Sequence, residues 1–342
     1  MDLSLLVMWL GFFLAAYSVV GNDVIQTLGT FLTSNEKRLP WYVLWMYGGG
    51  ILAFVLIYGF LQQDISYGRL AKFEMPQVYH WYYLLPPIVL LTITRMGVPV
   101  STTFMILTLF SLSKIPPDFS EMLASVFSSE TVLGGMIIKS FYGYLIAFGF
   151  AILVYMLITS TVEKYFINNA PTKSGNGIWT VLQWLATGFL WSQWLTQDLA
   201  NIYIYLKGGT QMTAFEFSIS LVLILGLLGY IFYTKGGKIQ DVVRKKTNTD
   251  DIRSATIIDF IYGLCLFVFK DDYFGLWGGK LPMSTTWVFV GLLAGREIAM
   301  RIRLEKKLSA TTRNMVIGDF LKVFAGLVVS VILVFLIKKI GG

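Results

Sequence analysis

Ten apolar segments dominate this chain, and their lengths leave packed helices as the economical way to fold it. They run roughly over 3–33, 41–62, 81–95, 98–113 and 139–160, then 178–206, 213–233, 254–269, 283–300 and 317–337. A helix needs about 20 apolar residues to span a bilayer, and every backbone N–H and C=O inside it must find a partner within the protein. Only 14% of the 342 residues are charged, against about 25% in a soluble domain, and the mean hydropathy is +0.66. The expected class is therefore all-α and polytopic. The third and eighth segments are short for a full span, which predicts half-helices, hairpin arms or re-entrant stretches. A weakly apolar stretch, 121–138, is expected at the interface. The first segment has no basic flank and no small-x-small cleavage site, so it is expected to be retained. The single cysteine, Cys265, excludes an internal disulfide and a cysteine metal cage.

One motif occurs twice within these segments. Pro99-Val-Ser-Thr-Thr103 opens the fourth and Pro282-Met-Ser-Thr-Thr286 opens the ninth. Proline discourages helix just before itself, and a hydroxyl run is a good helix start. A helix that begins at mid-depth leaves free N–H groups which must face protein, a cavity or a ligand. With its partial positive charge, such an end suits an anion. This makes Ser101, Thr102, Thr103, Ser284, Thr285 and Thr286 candidate anion-binding residues. The plain alternative is that these hydroxyls only bond back to the preceding turn; the recurrence of the whole motif weighs against it.

A second pattern also repeats. Asn22-Asp23 with Gln26 in the first segment matches Gln197-Asp198 with Asn201 in the sixth. A carboxylate at mid-bilayer costs about 2.5–3.5 kcal/mol on insertion scales, so it faces a cavity or a cation. Spacing of three puts each Asp and its second amide on one helix face. Carboxylate and amide oxygens together form a hard-oxygen set suited to a small cation such as Na⁺. Asn22, Asp23, Gln26, Gln197, Asp198 and Asn201 are the candidate cation ligands, with no metal expected beyond a transported ion. Weaker candidates are Glu216, four residues inside the seventh segment, and Asp259, expected to be solvated. His80, the only histidine, is expected at the surface. Gly48-Gly-Gly50 suggests close helix packing. No G-x-x-x-x-G-K-[ST] is present, so no P-loop binds ATP.

The halves correspond in order. Five segments per half is odd, so the second half must enter the membrane from the opposite side, as in inverted-repeat transporters. The expected division is 1–165 for the first repeat, 166–177 for the linker and 178–342 for the second repeat. The linker is rich in Asn, Pro, Ser and Gly. With the N-terminus outside, the inner loops hold 18 of the 27 Lys and Arg, including the cluster 235–253. The positive-inside rule then favours both termini outside. Trp41, Tyr42, Trp81, Tyr82 and Tyr83 are expected as interfacial anchors. A net charge of +7 distributed this way reads as topology, not as a nucleic-acid footprint.

At these residues the chain resembles the inorganic phosphate transporter (PiT) family of cation-coupled symporters. Gly21-Asn-Asp-Val-Ile-Gln26 and Gln197-Asp-Leu-Ala-Asn201 look like that family's Gly-Ala-Asn-Asp-Val-Ala-Asn-Ala motif. Pro99-Val-Ser-Thr-Thr-Phe104 and Pro282-Met-Ser-Thr-Thr-Trp287 look like its Pro-Val-Ser-Thr-Thr-His motif, and Ala214-Phe-Glu-Phe217 resembles its Phe-Glu motif. Order and spacing hold over nearly the whole chain. The resemblance implies phosphate bound between the two Ser-Thr-Thr starts, Na⁺ or H⁺ near the Asp segments, no cofactor, a plasma or inner membrane setting, and a homodimer as one arrangement open to it. The departures are Phe104 and Trp287 in place of histidine, Gln26 in place of asparagine, and no counterpart of Glu216 within Trp45–Gly50. Relatives in the family carry sulfate, so another tetrahedral oxyanion stays open. An anion channel and an intramembrane aspartyl protease using Asp23 and Asp198 are the other function classes; the protease leaves the amides and hydroxyl runs without a role.

Overall fold

The computed structural model describes residues 2–96, 100–114, 118–169, 175–210, 212–236, 251–271, 273, 280, 282–305 and 309–341. Among these the chain is helical, without strands. Among the described residues six helices are long and apolar enough to cross a membrane: α1 (Leu3–Asn35), α2 (Trp41–Leu61), α6 (Val132–Ile158, extended to Asn168 by a π turn and α7, Lys164–Asn168), α10 (Ala214–Tyr233), α11 (Ile252–Lys270) and α13 (Ala310–Gly341). Shorter or more polar helices complete the fold: α3 (Leu85–Arg95), α4 (Thr102–Leu107), α5 (Phe119–Val126), α8 (Gly175–Asp198), α9 (Ala200–Tyr203) and α12 (Thr285–Glu305).

The short segments resolve as hairpin arms. A 3-10 turn, Trp81–Leu84, leads into α3, which starts beside the N-terminus, where the Tyr79 amide donates to Ser4 Oγ (2.8 Å). By Thr94 it has reached the depth of Gly21 on α1. The chain then turns back through α4, and the Phe110 ring packs at a tilt against Tyr83 at the starting face. The described residues of 81–114 thus enter from the N-terminal face and return to it. The other hairpin comes from the opposite face. Its first arm, α11, runs alongside α8, pairing Asp259 with Thr187 and Leu266 with Gln197. Its second arm, α12, runs back beside α6. The tips of the two hairpins meet in the interior.

Two devices let these arms approach. On α12, Gly291 and Gly295 lie against the backbone of α6: a Cβ would stand 2.4 Å from the Tyr144 carbonyl oxygen and 2.2 Å from that of Phe148. This small-x-x-x-small spacing is how helices come close in lipid, where packing replaces the hydrophobic driving force. At Gly11 the α1 backbone passes the Tyr205 ring at a separation a Cβ would reduce to 2.4 Å. Gly48 serves packing as expected: its carbonyl accepts from the Trp191 indole N–H (2.9 Å).

Several expectations need correction. Helix α8 starts at Gly175, inside the stretch expected to be linker; residues 170–174 lie outside the described residues. The stretch 121–138 divides between α5 and the start of α6. Tyr83 is buried, its carbonyl taking the Tyr205 hydroxyl (2.7 Å), whereas Trp41, Tyr42 and Trp81 are exposed. His80 is exposed, as expected, and stacks on Tyr82. Most of the basic cluster, 237–250, lies outside the described residues.

Candidate functional site

Both Ser-Thr-Thr runs start helices at the hairpin tips, and their serines are spent on the start itself. Ser101 Oγ accepts from the Phe104 amide (3.2 Å) and Ser284 Oγ from the Trp287 amide (3.3 Å). These are N-caps in the ordinary sense, each satisfying one of the orphan donors of a first turn. The Ser284 amide donates to Ser140 Oγ on α6 (2.9 Å). Gly97, Val98, Pro99 and Leu281 lie outside the described residues.

The final threonines stitch the two tips together reciprocally. Thr103 Oγ1 reaches the Met283 carbonyl (3.3 Å), and Thr286 Oγ1 reaches the Val100 carbonyl (3.2 Å). Each acceptor is the residue just before the other run's serine. Behind them Phe104 and Trp287, which follow the two runs, meet edge to face at 5.9 Å. Equivalent residues of the two motifs therefore exchange equivalent contacts. All six hydroxyl residues are buried.

The amide-aspartate pairs close around this junction. Asp23 has both oxygens engaged, Oδ1 by Asn22 Nδ2 (2.6 Å) and Oδ2 by Thr102 Oγ1 (2.6 Å). Asp198 Oδ1 accepts from Asn201 Nδ2 (2.8 Å) and Thr103 Oγ1 (3.2 Å). Asn201 Nδ2 also lies 3.1 Å from Thr102 Oγ1 and 3.2 Å from Thr103 Oγ1. Asp23, Thr102, Asn201 and Asp198 thus form one chain across the interface between α1, α4 and the end of α8. Asn22 Nδ2 further donates to the Val100 carbonyl (2.8 Å). Thr285 is buried beside Asp198, and its carbonyl accepts from Tyr262 (3.1 Å).

Four oxygens of this set are buried and have no hydrogen-bond partner: Asn22 Oδ1, Gln26 Oε1, Asp198 Oδ2 and Asn201 Oδ1. Buried acceptors are almost always satisfied, and leaving one bare costs about 1–3 kcal/mol. All four are hard oxygen ligands, two of them on each amide-aspartate cluster. Gln26 Nε2 bonds back to the Asn22 carbonyl (3.2 Å). Gln197 is held by the Gln193 and Leu266 carbonyls (both 3.3 Å). Four of the six expected cation residues therefore present a bare oxygen; Asp23 has both of its oxygens engaged, and Gln197 ties α8 to α11.

Glu216 takes a different part. Its carboxylate accepts from the Thr213 amide and hydroxyl (both 2.9 Å), while the Glu216 amide donates to Thr213 Oγ1 (3.2 Å). This is a capping box at the start of α10, and it lines a cleft with Leu5, Met8 and Lys207, not the Asp23–Asp198 junction. Asp259, expected to be solvated, is fully buried; Thr30 donates to one of its oxygens and Thr187 to the other (2.6 Å). Its signal was the same as that of Asp23, a carboxylate in an apolar run, and the short segment around it masked the depth. Four buried cations among the described residues, Arg69, Lys139, Arg253 and Arg296, gave no sequence signal beyond their charge.

No family model and no curated protein matches the chain. A solved structure described as "The sodium-dependent phosphate transporter" superposes on it with a TM-score of 0.54, over 99% of this chain and 100% of that one, at 17% sequence identity. At that identity the likeness speaks for the fold, which is that of an all-α polytopic membrane protein.

Proposed function

We propose that this chain is a cation-coupled secondary transporter of an inorganic oxyanion, phosphate first and sulfate second, with Na⁺ as the first candidate for the coupling ion and H⁺ the second. The observation that carries it is the junction itself: two hydroxyl-run helix starts, from hairpins of opposite faces, close on two buried aspartates flanked by four bare amide and carboxylate oxygens. The name of the solved structure that shares the fold points the same way.

The chemistry follows from charge. Two buried carboxylates repel an oxyanion, so cations must arrive with it or before it. Bare oxygens of Asn22, Gln26, Asp198 and Asn201 are the groups that would hold them. Once the carboxylates are neutralised, the N–H groups and threonine hydroxyls at the two helix starts can turn to the anion, replacing its lost hydration. Neither charge is stable alone at that depth, so each favours the other, which is the thermodynamic content of coupling. Alternating access would come from rocking of two repeats, 1–165 and 178–342, joined by 166–177. Both termini would lie outside the cell membrane. The test is uptake into proteoliposomes. Accumulation of labelled phosphate against its gradient, driven by an inward Na⁺ gradient, is expected. Movement only down the gradient would mark a channel. Preference for sulfate in competition would reassign the anion, and no anion movement at all would overturn the proposal.

A further inference from the structure

The loop between α2 and the Trp81 turn holds a buried guanidinium that the junction does not absorb. Arg69 is 2% exposed, and its Nε and Nη1 have no hydrogen-bond partner. The loop is locked in place. Gln63 and Tyr67 take positive φ (55° and 53°) and Gly68 follows at 78°, folding the chain inward so that Ile65 is fully buried. Ile65 packs against Gly209, where a Cβ would be 2.9 Å from it, and Leu70 packs over Gly208. A Cβ at Gly68 would lie 3.2 Å from the Lys280 side chain, in the segment that leads directly into Pro282-Met-Ser-Thr-Thr286. Arg69 therefore sits where the N-terminal face approaches the second hydroxyl run.

The charges acting on Arg69 are Asp271, Asp198 and Asp64. Burial pulls the guanidinium down to about 10, which leaves it cationic at neutral pH. A structural arginine spends its donors, as Arg253 does: it bonds the Phe166 and Asn169 carbonyls (2.9 and 2.8 Å) and the Asp251 carboxylate. Arg69 instead keeps N–H groups bare inside the protein, a state that is costly until an acceptor arrives. Planar guanidinium donors match the oxygens of phosphate and sulfate, and a hydrogen bond between opposite charges is the strong kind.

We infer that Arg69 is a specificity-determining residue for the oxyanion, recognising it on the N-terminal-face side of the Asp23–Asp198 junction. This rests on the transport function proposed above. In the empty protein the guanidinium lies in the field of Asp271, Asp198 and Asp64; a cation on Asp198 offsets that part of the pull and leaves the bare N–H groups to the anion.

The test uses the full chain in proteoliposomes with labelled phosphate. Arg69→Gln is expected to raise the half-saturating phosphate concentration about 10- to 150-fold, while the half-saturating Na⁺ concentration, measured at phosphate saturating for each variant, moves less than threefold. Arg69→Lys keeps the charge and loses the planar donors, so it is expected to fall between wild type and Arg69→Gln and to discriminate phosphate from sulfate less sharply. A half-saturating phosphate concentration within twofold of wild type in Arg69→Gln would overturn the inference. If that variant does not insert, the same result in Arg69→Lys would overturn it. A parallel loss of Na⁺ and phosphate affinity would also overturn it, since that marks a packing role. A wild-type protein that moves no tetrahedral oxyanion would bring down the transport proposal itself, an outcome separate from an active wild type indifferent to position 69.

Discussion

Replacing Asp198 by Asn separates a cation ligand from a structural carboxylate. Asp198 Oδ1 already accepts from Asn201 (2.8 Å) and Thr103 (3.2 Å), and an amide oxygen can keep both bonds. Oδ2, buried and bare, becomes a neutral N–H₂ group. Cation-free protein should therefore melt at the wild-type temperature or above it, because a buried carboxylate without its cation is exchanged for a neutral amide. Cation binding should suffer heavily. Removing one member of a buried charge pair costs about 3–5 kcal/mol, which is about 100- to 4,000-fold in affinity. In wild type, Na⁺ at about 100 times its dissociation constant adds about 2.7 kcal/mol of apparent stability; in Asp198→Asn that gain should vanish at the same concentration. The assay is thermal melting of purified protein with Na⁺ and with choline in its place, beside uptake in proteoliposomes. A variant that keeps the Na⁺-dependent gain would refute the reasoning. So would one that melts several degrees lower without cation, because that identifies the carboxylate as a structural acceptor.

Asp23→Asn should likewise abolish coupled uptake with insertion retained, and normal uptake with unchanged cation dependence would remove Asp23 from the coupling site. Thr103→Val and Thr286→Val each delete one of the reciprocal tip bonds, at about 0.5–1.5 kcal/mol. Each should raise the half-saturating anion concentration more than it lowers surface expression, and the double variant should be non-additive; strict additivity in a double-mutant cycle argues against one shared site. Gly295→Val should lower the melting temperature sharply, since even its Cβ would stand 2.2 Å from the Phe148 carbonyl oxygen; wild-type melting would mean that α6 and α12 are not so close. A C-terminal tag should be reached by antibody on intact cells, and labelling only after permeabilisation would reverse the proposed orientation.

Much of this molecule was legible in the chain because lipid is a demanding solvent. Apolar length and the need to satisfy every backbone group predicted most helices within a few residues, although α6 and α13 begin at Val132 and Ala310, seven residues before the segments expected at 139 and 317, and the helix α4 begins at Thr102, inside the run chosen for it. Repetition of Pro-x-Ser-Thr-Thr and of the amide-aspartate pattern marked which polar residues mattered, since polar groups at that depth are too costly to be incidental. The sequence carried no information on which hydroxyl faces which partner. Only the tertiary structure decided that Ser101 and Ser284 are caps, that Thr103 and Thr286 cross to the opposite tip, and that Asn201 joins the two aspartates. The same holds for depth. Glu216 and Asp259 look alike as acidic residues near the ends of apolar runs, yet one caps a helix at a cleft and the other is fully buried between two threonines. Burial of a charge depends on what packs over it from elsewhere in the chain, and the loop that carries Arg69 is held through Ile65 on Gly209, Leu70 on Gly208 and Gly68 beside Lys280, more than a hundred residues away, where no local pattern can report it.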